Sequence, residues 1–201
     1  MRKIPTLFKR EFENHRVVSI SPEITEGCED AFLHGIATTK FDGSCCAVIN
    51  GKFYKRFDLK PGRKLPENAI PCQEEADKVT AHFPYWVPVD FDSPADKWFV
   101  KAYDNTIYKR LEKPIPDGTY EAIGKHFNGN PYYMPDDTLV RHGTYEEYPE
   151  RTFEGIYKYL VHNEIEGIVF WYDGKPVCKI KRTDFGLEWP ISKWKEITNE
   201  R

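Results

Sequence analysis

The sequence offers little from which to build a disulfide framework. Its 201 residues include only five cysteines, an odd number, and none of them forms a C-x-x-C pair. This excludes a disulfide scaffold or a zinc site of the usual spacing, and the cysteines are read as small hydrophobes. They are Cys28, Cys45, Cys46, Cys72 and Cys178. Cys45 and Cys46 alternate across the two faces of any strand, so at most one can face a site.

Long apolar runs are missing as well. No stretch approaches the roughly 18 apolar residues that a membrane-spanning helix requires. The start of the chain, Met1-Arg2-Lys3-Ile4-Pro5, is not followed by the apolar segment of a secretory signal. The sequence therefore predicts a soluble protein of the cytoplasm, or of a similar reducing compartment, with no membrane partner.

A surplus of positive charge is also absent. The formal net charge is −3, whereas nucleic-acid-binding domains usually carry a basic face. Any contact with a nucleic acid must therefore be local, and the best candidate begins at Lys52–Arg56, where basic residues alternate with aromatics. Lys55, Arg56 and Lys60 are the candidate phosphate contacts. For Lys60 and the basic residues after it, a solvated charged turn is an open alternative.

Turn signals separate a series of strands. The β-prone run Ser44–Ile49 stops at Asn50-Gly51, which is typical of a hairpin turn, and Lys52–Phe57 is the predicted returning strand. The same reasoning predicts further elements. These are a short helix over Cys72–Thr80, an extended segment over His82–Val89, a strand over Thr119–Gly124, a helix over Thr152–His162, and a hairpin of Gly167–Tyr172 with Pro176–Lys181.

The size and the element pattern together predict one domain. A chain of 201 residues fits a single domain with a real core, and neither a linker nor a repeat interrupts it. We expect one α+β domain over residues 1–201, with antiparallel sheets flanked by helices.

The most informative stretch is Lys40-Phe41-Asp42-Gly43. A lysine one residue ahead of Asp-Gly is typical of enzymes that attach a nucleotide covalently to themselves. Three further segments follow in the expected order, and this order turns a weak signal into a strong one. They are Tyr120-Glu121-Ala122-Ile123-Gly124, Glu166-Gly167-Ile168-Val169-Phe170 and Lys179-Ile180-Lys181.

The chemistry explains why these residue types occur together. A lysine attacks a phosphate only as the neutral amine, whereas a free lysine titrates near ~10.4, so neighbouring cations and a divalent metal must lower the pKa of the attacking group. Lys179 and Lys181 stand two apart in a strand and so project from one face, while Ile180 faces the core. That face suits a clamp on a phosphate.

Two glutamates complete the candidate site. A carboxylate facing a nucleotide can accept hydrogen bonds from ribose hydroxyls or hold a hydrated divalent cation beside the phosphate. Glu121 lies within a strand, and Glu166 stands at the mouth of a buried one. Each alone is more often a surface residue, but the ordered set favours a site.

The ordered set resembles the conserved motifs of the DNA and RNA ligase and capping-enzyme superfamily over nearly the whole chain, from Lys40 to Lys181. Additional blocks narrow the resemblance to the small vertebrate-type RNA ligase 1 family. Those blocks are Lys40-Phe41-Asp42-Gly43-Ser44-Cys45-Cys46, Trp86-Val87-Pro88-Val89, Asp96-Lys97-Trp98, and Ile123-Gly124 with Asn128-Gly129-Asn130-Pro131-Tyr132.

The resemblance implies a ligase-type nucleotidyltransferase fold, similar to ATP-grasp, without an OB domain. It also implies a three-step reaction. Lys40 attacks ATP to give a lysyl-AMP intermediate, AMP passes to an RNA 5′-phosphate, and an RNA 3′-hydroxyl then displaces AMP. The implied substrates are ATP and RNA with 5′-phosphate and 3′-hydroxyl ends, and the implied cofactor is Mg²⁺ or Mn²⁺. No protein partner is implied.

The resemblance also assigns roles to residues. Lys40, Glu166, Lys179 and Lys181 are the implied catalytic residues, with Glu166 holding the metal. The implied nucleotide contacts are Lys40, Asp42, Gly43, Arg56, Glu121, Ile168, Lys179 and Lys181. Arg56 contacts either the nucleotide or the incoming 5′-phosphate, and Glu121 binds ribose.

Two departures and three alternatives accompany this interpretation. Thr39 stands where many RNA ligases have a glutamate, and the adenine-stacking aromatic is open among Trp98, Phe127 and Tyr132. The neighbouring His126 is more often structural in such a position. A capping guanylyltransferase or a DNA nick-sealing ligase usually needs a following OB domain, for which we expect no room. A catalytically silent RNA-end sensor would not need Lys40.

Overall fold

The computed structural model describes residues 2–14, 16–76, 83–109, 111 and 113–191. They form two compact units. The first unit holds Asp42–His142 with the N-terminal end of the chain, and the second holds Ile4–Phe41 with the chain from Gly143 onward. The interpretation of residues 1–201 as one domain stays a prediction.

The described elements are mostly strands. In chain order they are β1 (Phe8–Glu13), β2 (Arg16–Ile24), α1 (Glu29–His34), β3 (Ile36–Lys40), β4 (Ser44–Ile49), β5 (Lys52–Leu59), β6 (Ile70–Pro71), β7 (Phe83–Pro88), α2 (Lys97–Lys109), β8 (Gly118–Ile123), β9 (Thr138–Arg141), β10 (Glu146–Glu147), α3 (Phe153–His162), β11 (Gly167–Tyr172), β12 (Lys175–Lys181) and a 3-10 helix (Arg182–Phe185).

The first unit is built on a six-stranded sheet in the order β6-β7-β5-β4-β8-β9, with every neighbouring pair antiparallel. Strands β4 and β8 are central, so both are held from two sides. Helix α2 packs on this sheet through the buried small residues Ala102 and Thr106. The Thr106 hydroxyl oxygen accepts a hydrogen bond from Leu139 N at 2.8 Å and so ties the helix to β9.

The second unit is built on a four-stranded antiparallel sheet in the order β10-β3-β11-β12, with β1 and β2 as a separate hairpin. One apolar cluster joins the sheet to α1 and α3. Its fully buried members include Phe170, Ile168, Ile180, Ile156 and Leu160. Burying such side chains contributes roughly 1.5–3 kcal/mol each, so β11 and β12 are held firmly at their inner face.

The structure confirms the mixed fold with antiparallel sheets, and this fold is compatible with a nucleotidyltransferase domain of the ligase type. The hairpin at Asn50-Gly51 forms as predicted, and so do the strand near residue 119 and the hairpin at Asp173-Gly174. Helix α3 begins after Thr152, whose hydroxyl oxygen accepts a hydrogen bond from Gly155 N at 2.9 Å.

One predicted element differs, and several elements, helix α2 among them, were not predicted. The helix over Cys72–Thr80 is wrong where the structure describes it, because residues 72–75 form bends and residue 76 has no regular structure. Residues 77–80 lie outside the described residues, as does His82 of the extended segment. Helix α2 was not predicted, although its partly buried Phe99, Tyr103 and Ile107 recur at helical spacing and pack against the core of the first unit. No helix among the described residues is long and apolar enough to cross a membrane.

Candidate active site

Three strands of the second unit bring the candidate lysines together. Gly167, at the start of β11, pairs with Lys40 of β3 on one side and with Lys181 of β12 on the other. Directly paired residues on neighbouring antiparallel strands project from the same face. The sheet therefore sets two lysines from distant parts of the chain on either side of one glycine.

Glu166 lies between these two lysines. Its Oε2 is 2.5 Å from Lys40 Nζ, and its Oε1 is 2.8 Å from Lys181 Nζ. The Glu166 side chain is only 5% exposed, so its charge is removed from water and needs both ammonium groups as partners. One buried carboxylate thus holds the proposed nucleophile and a second lysine in place.

Gly167 makes this approach of strands feasible. A Cβ atom at this position would lie 2.1 Å from the carbonyl oxygen of Ile180 and 2.9 Å from Lys181 Cα. Both are backbone atoms, which cannot turn away. A glycine after Glu166 is therefore required by the close packing of β11 against β12.

Lys179 adds a third ammonium group to the same face. It pairs with Val169, two residues beyond Gly167. Burial, together with repulsion from Lys40 and Lys181, lowers the pKa of Lys179 to about 8. Among the residues that the structure describes, none forms an ion pair with it. The face therefore carries more positive than negative charge, and an anion is the natural complement.

Two neighbours complete the surroundings of this lysine cluster, by which we mean Lys40, Lys179, Lys181 and Glu166. Arg10 of β1 pairs with Asp184 at 2.7 Å, and Asp184 accepts a hydrogen bond from Lys181 N at 2.9 Å. Ile168, a predicted nucleotide contact, is fully buried in the core on the opposite face. The structure does not bring its side chain to the lysines.

In the first unit, Asn128 holds Asp42 and Gly43 in place. Its Nδ2 donates to Asp42 Oδ1 at 2.7 Å and to the carbonyl of Gly43 at 2.8 Å. Asp42 N donates to the Tyr132 hydroxyl at 2.6 Å. A Cβ at Gly43 would lie 2.2 Å from the carbonyl oxygen of Ala122, so only glycine fits there. The Asp-Gly pair is thus held in one conformation.

Glu121 is also held within the first unit. Its Oε1 accepts a hydrogen bond from Gly43 N at 3.1 Å, and its Oε2 lies 2.9 Å from His142 Nε2. Cys45 faces it across β4 and β8. Burial and the Glu121 charge raise the pKa of the Cys45 thiol to about 12. As expected of neighbours in a strand, Cys45 faces the site residues while Cys46 is buried in the core.

The basic residues of β5 have different surroundings. Arg56 Nε donates to Asp58 at 2.9 Å, and the Lys55 ammonium pairs with the buried carboxylate of Asp96. Lys60 is exposed just beyond the strand. Lys55 therefore balances the charge of a buried carboxylate, whereas Lys60 is exposed to solvent. The predicted contacts of these residues with RNA stay predictions.

The aromatic candidates for adenine stacking separate by environment. Phe127 is buried in the core against Phe99. Trp98 stacks on His126 with ring centroids 3.3 Å apart, and His126 Nδ1 lies 2.7 Å from the buried Asp137 carboxylate. The Tyr132 hydroxyl is used by Asp42. Phe127 is thus a core residue, and the adenine partner stays open between Trp98 and Tyr132.

Several site residues were not predicted from the sequence. Thr39 Oγ1 donates to Glu147 at 2.5 Å, so a carboxylate from β10 reaches the residue that precedes Lys40. Arg10, His142 and Glu147 lack any local motif, because their contacts join segments far apart in the chain. Asn128 lies in a block that the resemblance singled out, but without a role.

Comparison with known proteins finds relatives of the family that the sequence motifs resemble. A family model described as RNA ligase 1 matches residues 111–199, a range that includes Glu121 and Glu166 but begins after Lys40. RNA ligase 1 of Rattus norvegicus is 25% identical over 271 aligned positions, which cover 94% of this chain and 82% of the relative. RNA ligase 1 of Danio rerio is 26% identical, with 95% and 82% covered.

The mixed fold with antiparallel sheets is compatible with a nucleotidyltransferase domain of the ligase class. Within that class, the resemblance to the RNA ligase 1 family that the motifs predict is confirmed across nearly the whole chain. The aligned positions outnumber the residues of this chain, so the relatives carry segments that this chain lacks.

Proposed function

We propose that this protein is an ATP-dependent RNA ligase that joins 5′-phosphate and 3′-hydroxyl RNA ends through AMP bound covalently to Lys40, and that it serves RNA repair. The observation that carries the proposal is the lysine cluster, in which the buried carboxylate of Glu166 bridges Lys40 and Lys181. The relatives named RNA ligase 1 support the same activity at the level of the family.

In the first step, the Lys40 amine attacks the α-phosphorus of ATP, a P–N bond forms, and pyrophosphate leaves. Lys40 Nζ lies against Glu166, so it must leave this contact, and it can attack only as the neutral amine. Lys179 and Lys181 face the same side of the sheet and stabilise the charge that builds on the phosphate oxygens.

The residues of the cluster fit a divalent cation that arrives with the triphosphate. Mg²⁺ in phosphoryl-transfer sites is usually bound by one or two carboxylates, with water and substrate phosphates as the other ligands, and Glu166 supplies one such carboxylate. Bound there, the ion would withdraw charge from the triphosphate. Glu166 would then exchange its contact with Lys40 for the ion and so leave the amine free.

In the second and third steps, AMP moves from Lys40 to the RNA 5′-phosphate, and the RNA 3′-hydroxyl then displaces AMP. Arg56 and Lys60 are the proposed contacts for RNA phosphates, with Lys55 beside them on β5. Asp42, Gly43 and Glu121 are the proposed contacts of the first unit with the nucleotide.

The first experiment measures the intact mass of the protein after incubation with ATP and Mg²⁺, followed by addition of a 5′-phosphorylated RNA with a free 3′-hydroxyl. We expect a gain of one AMP that disappears as joined RNA forms. Lys40→Ala should abolish the gain. Lys175→Ala, which changes an exposed lysine of β12, is the matched control and should label like the parent protein.

The same experiment separates the competing functions. A gain of one GMP with GTP, and none with ATP, would assign the protein to capping-type guanylyltransferases. No gain with either nucleotide, together with retained binding of RNA ends, would make it a silent sensor. Labelling that persists in Lys40→Ala would show that the nucleophile is another residue.

A further inference from the structure

Three different kinds of metal ligand converge on one face of the sheet in the first unit. The Cys45 sulfur, a Glu121 carboxylate oxygen and a His142 imidazole nitrogen all lie within 4.8 Å of one another. Cys45 and Glu121 are directly paired on β4 and β8. His142 follows β9, and its backbone N donates to the Thr119 carbonyl at 3.0 Å. Rigid strands therefore position all three side chains.

These ligands are enclosed and are oriented by a second layer of contacts. The side chains of Glu121 and His142 are 12% and 13% exposed. Thr119 Oγ1 lies 3.0 Å from His142 Nδ1 and fixes the ring, while Gly43 N–H binds Glu121 Oε1 at 3.1 Å. Metal-binding histidines and carboxylates almost always have outer partners of this kind.

All three ligand atoms lie within 4.8 Å of one another, so modest side-chain movements would bring them to the spacing of a small tetrahedral ion. With zinc bonds of about 2.0–2.1 Å to nitrogen and oxygen and about 2.3 Å to sulfur, neighbouring ligand atoms lie roughly 3.3–3.6 Å apart. Glu121 Oε2 and His142 Nε2 lie 2.9 Å apart. This distance would have to increase by roughly half an ångström to match the separation of two such ligands around zinc. Side-chain rotation alone can supply such a movement.

We propose that Cys45, Glu121 and His142 form a site for Zn²⁺ or a similarly thiophilic divalent cation, with a fourth coordination position open to water or ligand. Thiolate and imidazole ligands favour such ions, whereas Mg²⁺ prefers oxygen ligands alone. Binding displaces the thiol proton of Cys45 and forms the sulfur–metal bond, so one proton leaves for each ion bound. This site is separate from the metal expected at Glu166.

The site has a consequence that rests on the proposed ligase function. Glu121 is the residue assigned to ribose, and a carboxylate that ligates zinc no longer accepts hydrogen bonds from ribose hydroxyls in the same way. Zinc and the ribose of ATP should therefore compete for the carboxylate of Glu121. A thiophilic ion would inhibit self-adenylylation, and excess ATP would relieve the inhibition.

The test uses Co²⁺ as a spectroscopic substitute for zinc and needs neither ATP nor RNA. Titration of the whole protein should give a thiolate-to-cobalt charge-transfer band that saturates at one ion per chain. Zn²⁺ should abolish the band, whereas a large excess of Mg²⁺ should leave it. Absence of the band, or its loss on adding Mg²⁺, would overturn the proposal.

Matched variants locate the site. Cys45→Ser should lose the band, whereas Cys72→Ser, which alters another half-buried cysteine of the same unit, should keep it; the reverse result would overturn the assignment. Thr119→Val preserves shape and removes only the outer hydrogen bond, so Co²⁺ affinity should fall roughly 10–100-fold. Unchanged affinity in Thr119→Val, with folding confirmed by circular dichroism, would also count against the site.

The activity measurement then distinguishes the two proposals. If the Co²⁺ band forms but the protein never gains AMP, the metal site stands and the ligase function fails. If AMP is gained at the same rate with the site loaded with zinc, the proposed opposition between zinc and ATP is wrong.

Discussion

Removing the charge of Lys179 should stabilise the protein at neutral pH. The lysine cluster gathers three ammonium groups around one carboxylate, and burial and the neighbouring cations lower the pKa of Lys179 from 10.5 to about 8. A lysine whose pKa is lowered by folding resists protonation in the folded state. Its unfavourable contribution to the free energy of unfolding is full below about pH 8 and fades as the pH rises towards 10.5.

The magnitude follows from the shift. A lowering of about 2.5 pKa units corresponds to roughly 3 kcal/mol of destabilisation at neutral pH, and roughly 2 kcal/mol of this is relieved between about pH 7 and about pH 9.5. Lys179→Met keeps most of the apolar stem and removes the charge. It should therefore be more stable than the parent protein near pH 7 by a large part of that 3 kcal/mol.

The assay is urea unfolding of the parent protein and the variant at both pH values. Buried thiols act in the opposite sense, because the raised pKa of Cys45 favours the unfolded state above about pH 9; only the difference between the two proteins isolates Lys179. That difference should shrink as the pH rises. Lys175→Met on the same strand is the control. A difference that is absent, or that does not change with pH, would refute the reasoning.

Four further predictions concern single side chains. Glu166→Gln should slow self-adenylylation on the order of a hundredfold in a labelling time course, and a rate equal to that of the parent would make Glu166 purely structural. Asn128→Ala should slow labelling without a comparable loss of stability, because it releases Asp42 and Gly43; an unchanged rate contradicts this. Lys55→Met should lower the free energy of unfolding by roughly 2–4 kcal/mol in melting experiments, because it leaves Asp96 buried and unpaired. Lys60→Met should leave stability unchanged and weaken only RNA binding in a filter-binding assay. The opposite pattern would reverse the roles of the two lysines. Gly167→Ala should cost roughly 1–3 kcal/mol in urea unfolding because its Cβ meets backbone, and full stability would show that β11 and β12 can separate.

The sequence predicts best where the signal is local. Asn50-Gly51 and Asp173-Gly174 are dipeptides typical of hairpin turns. The alternation in Lys179-Ile180-Lys181 predicts from the sequence alone that the lysines share one face of the strand and that Ile180 faces the core. Helix α3 carries large apolar residues at helical spacing and a threonine cap, and it was predicted almost to the residue. These elements are fixed by interactions within a few residues.

Prediction failed where partners are distant, and it also missed one local signal. In helix α2, Phe99, Tyr103 and Ile107 recur at helical spacing and pack against the core of the first unit, but no helix was predicted there. Glu121 contacts His142, and Thr39 contacts Glu147. Each pair is far apart in the sequence and is brought together only by strand pairing. The lysine motifs singled out Lys40 and Lys181, but they did not predict that a single carboxylate would hold the two lysines together.

The pairing of the N-terminal segment with β12 has a consequence for biosynthesis. Leu7 N donates to the Lys179 carbonyl at 2.7 Å, and Lys179 N donates to the Pro5 carbonyl at 3.0 Å, so the two ends of the described chain meet at the lysine cluster. Contacts between residues this far apart form late, because the intervening chain must first be ordered. During synthesis on the ribosome, β3 emerges before its partner strands β11 and β12. Lys40 therefore comes together with the other residues of the lysine cluster only after those strands have been made. A chain interrupted before Glu166 would therefore keep Lys40 but lack Glu166, Lys179 and Lys181, which form the rest of the lysine cluster.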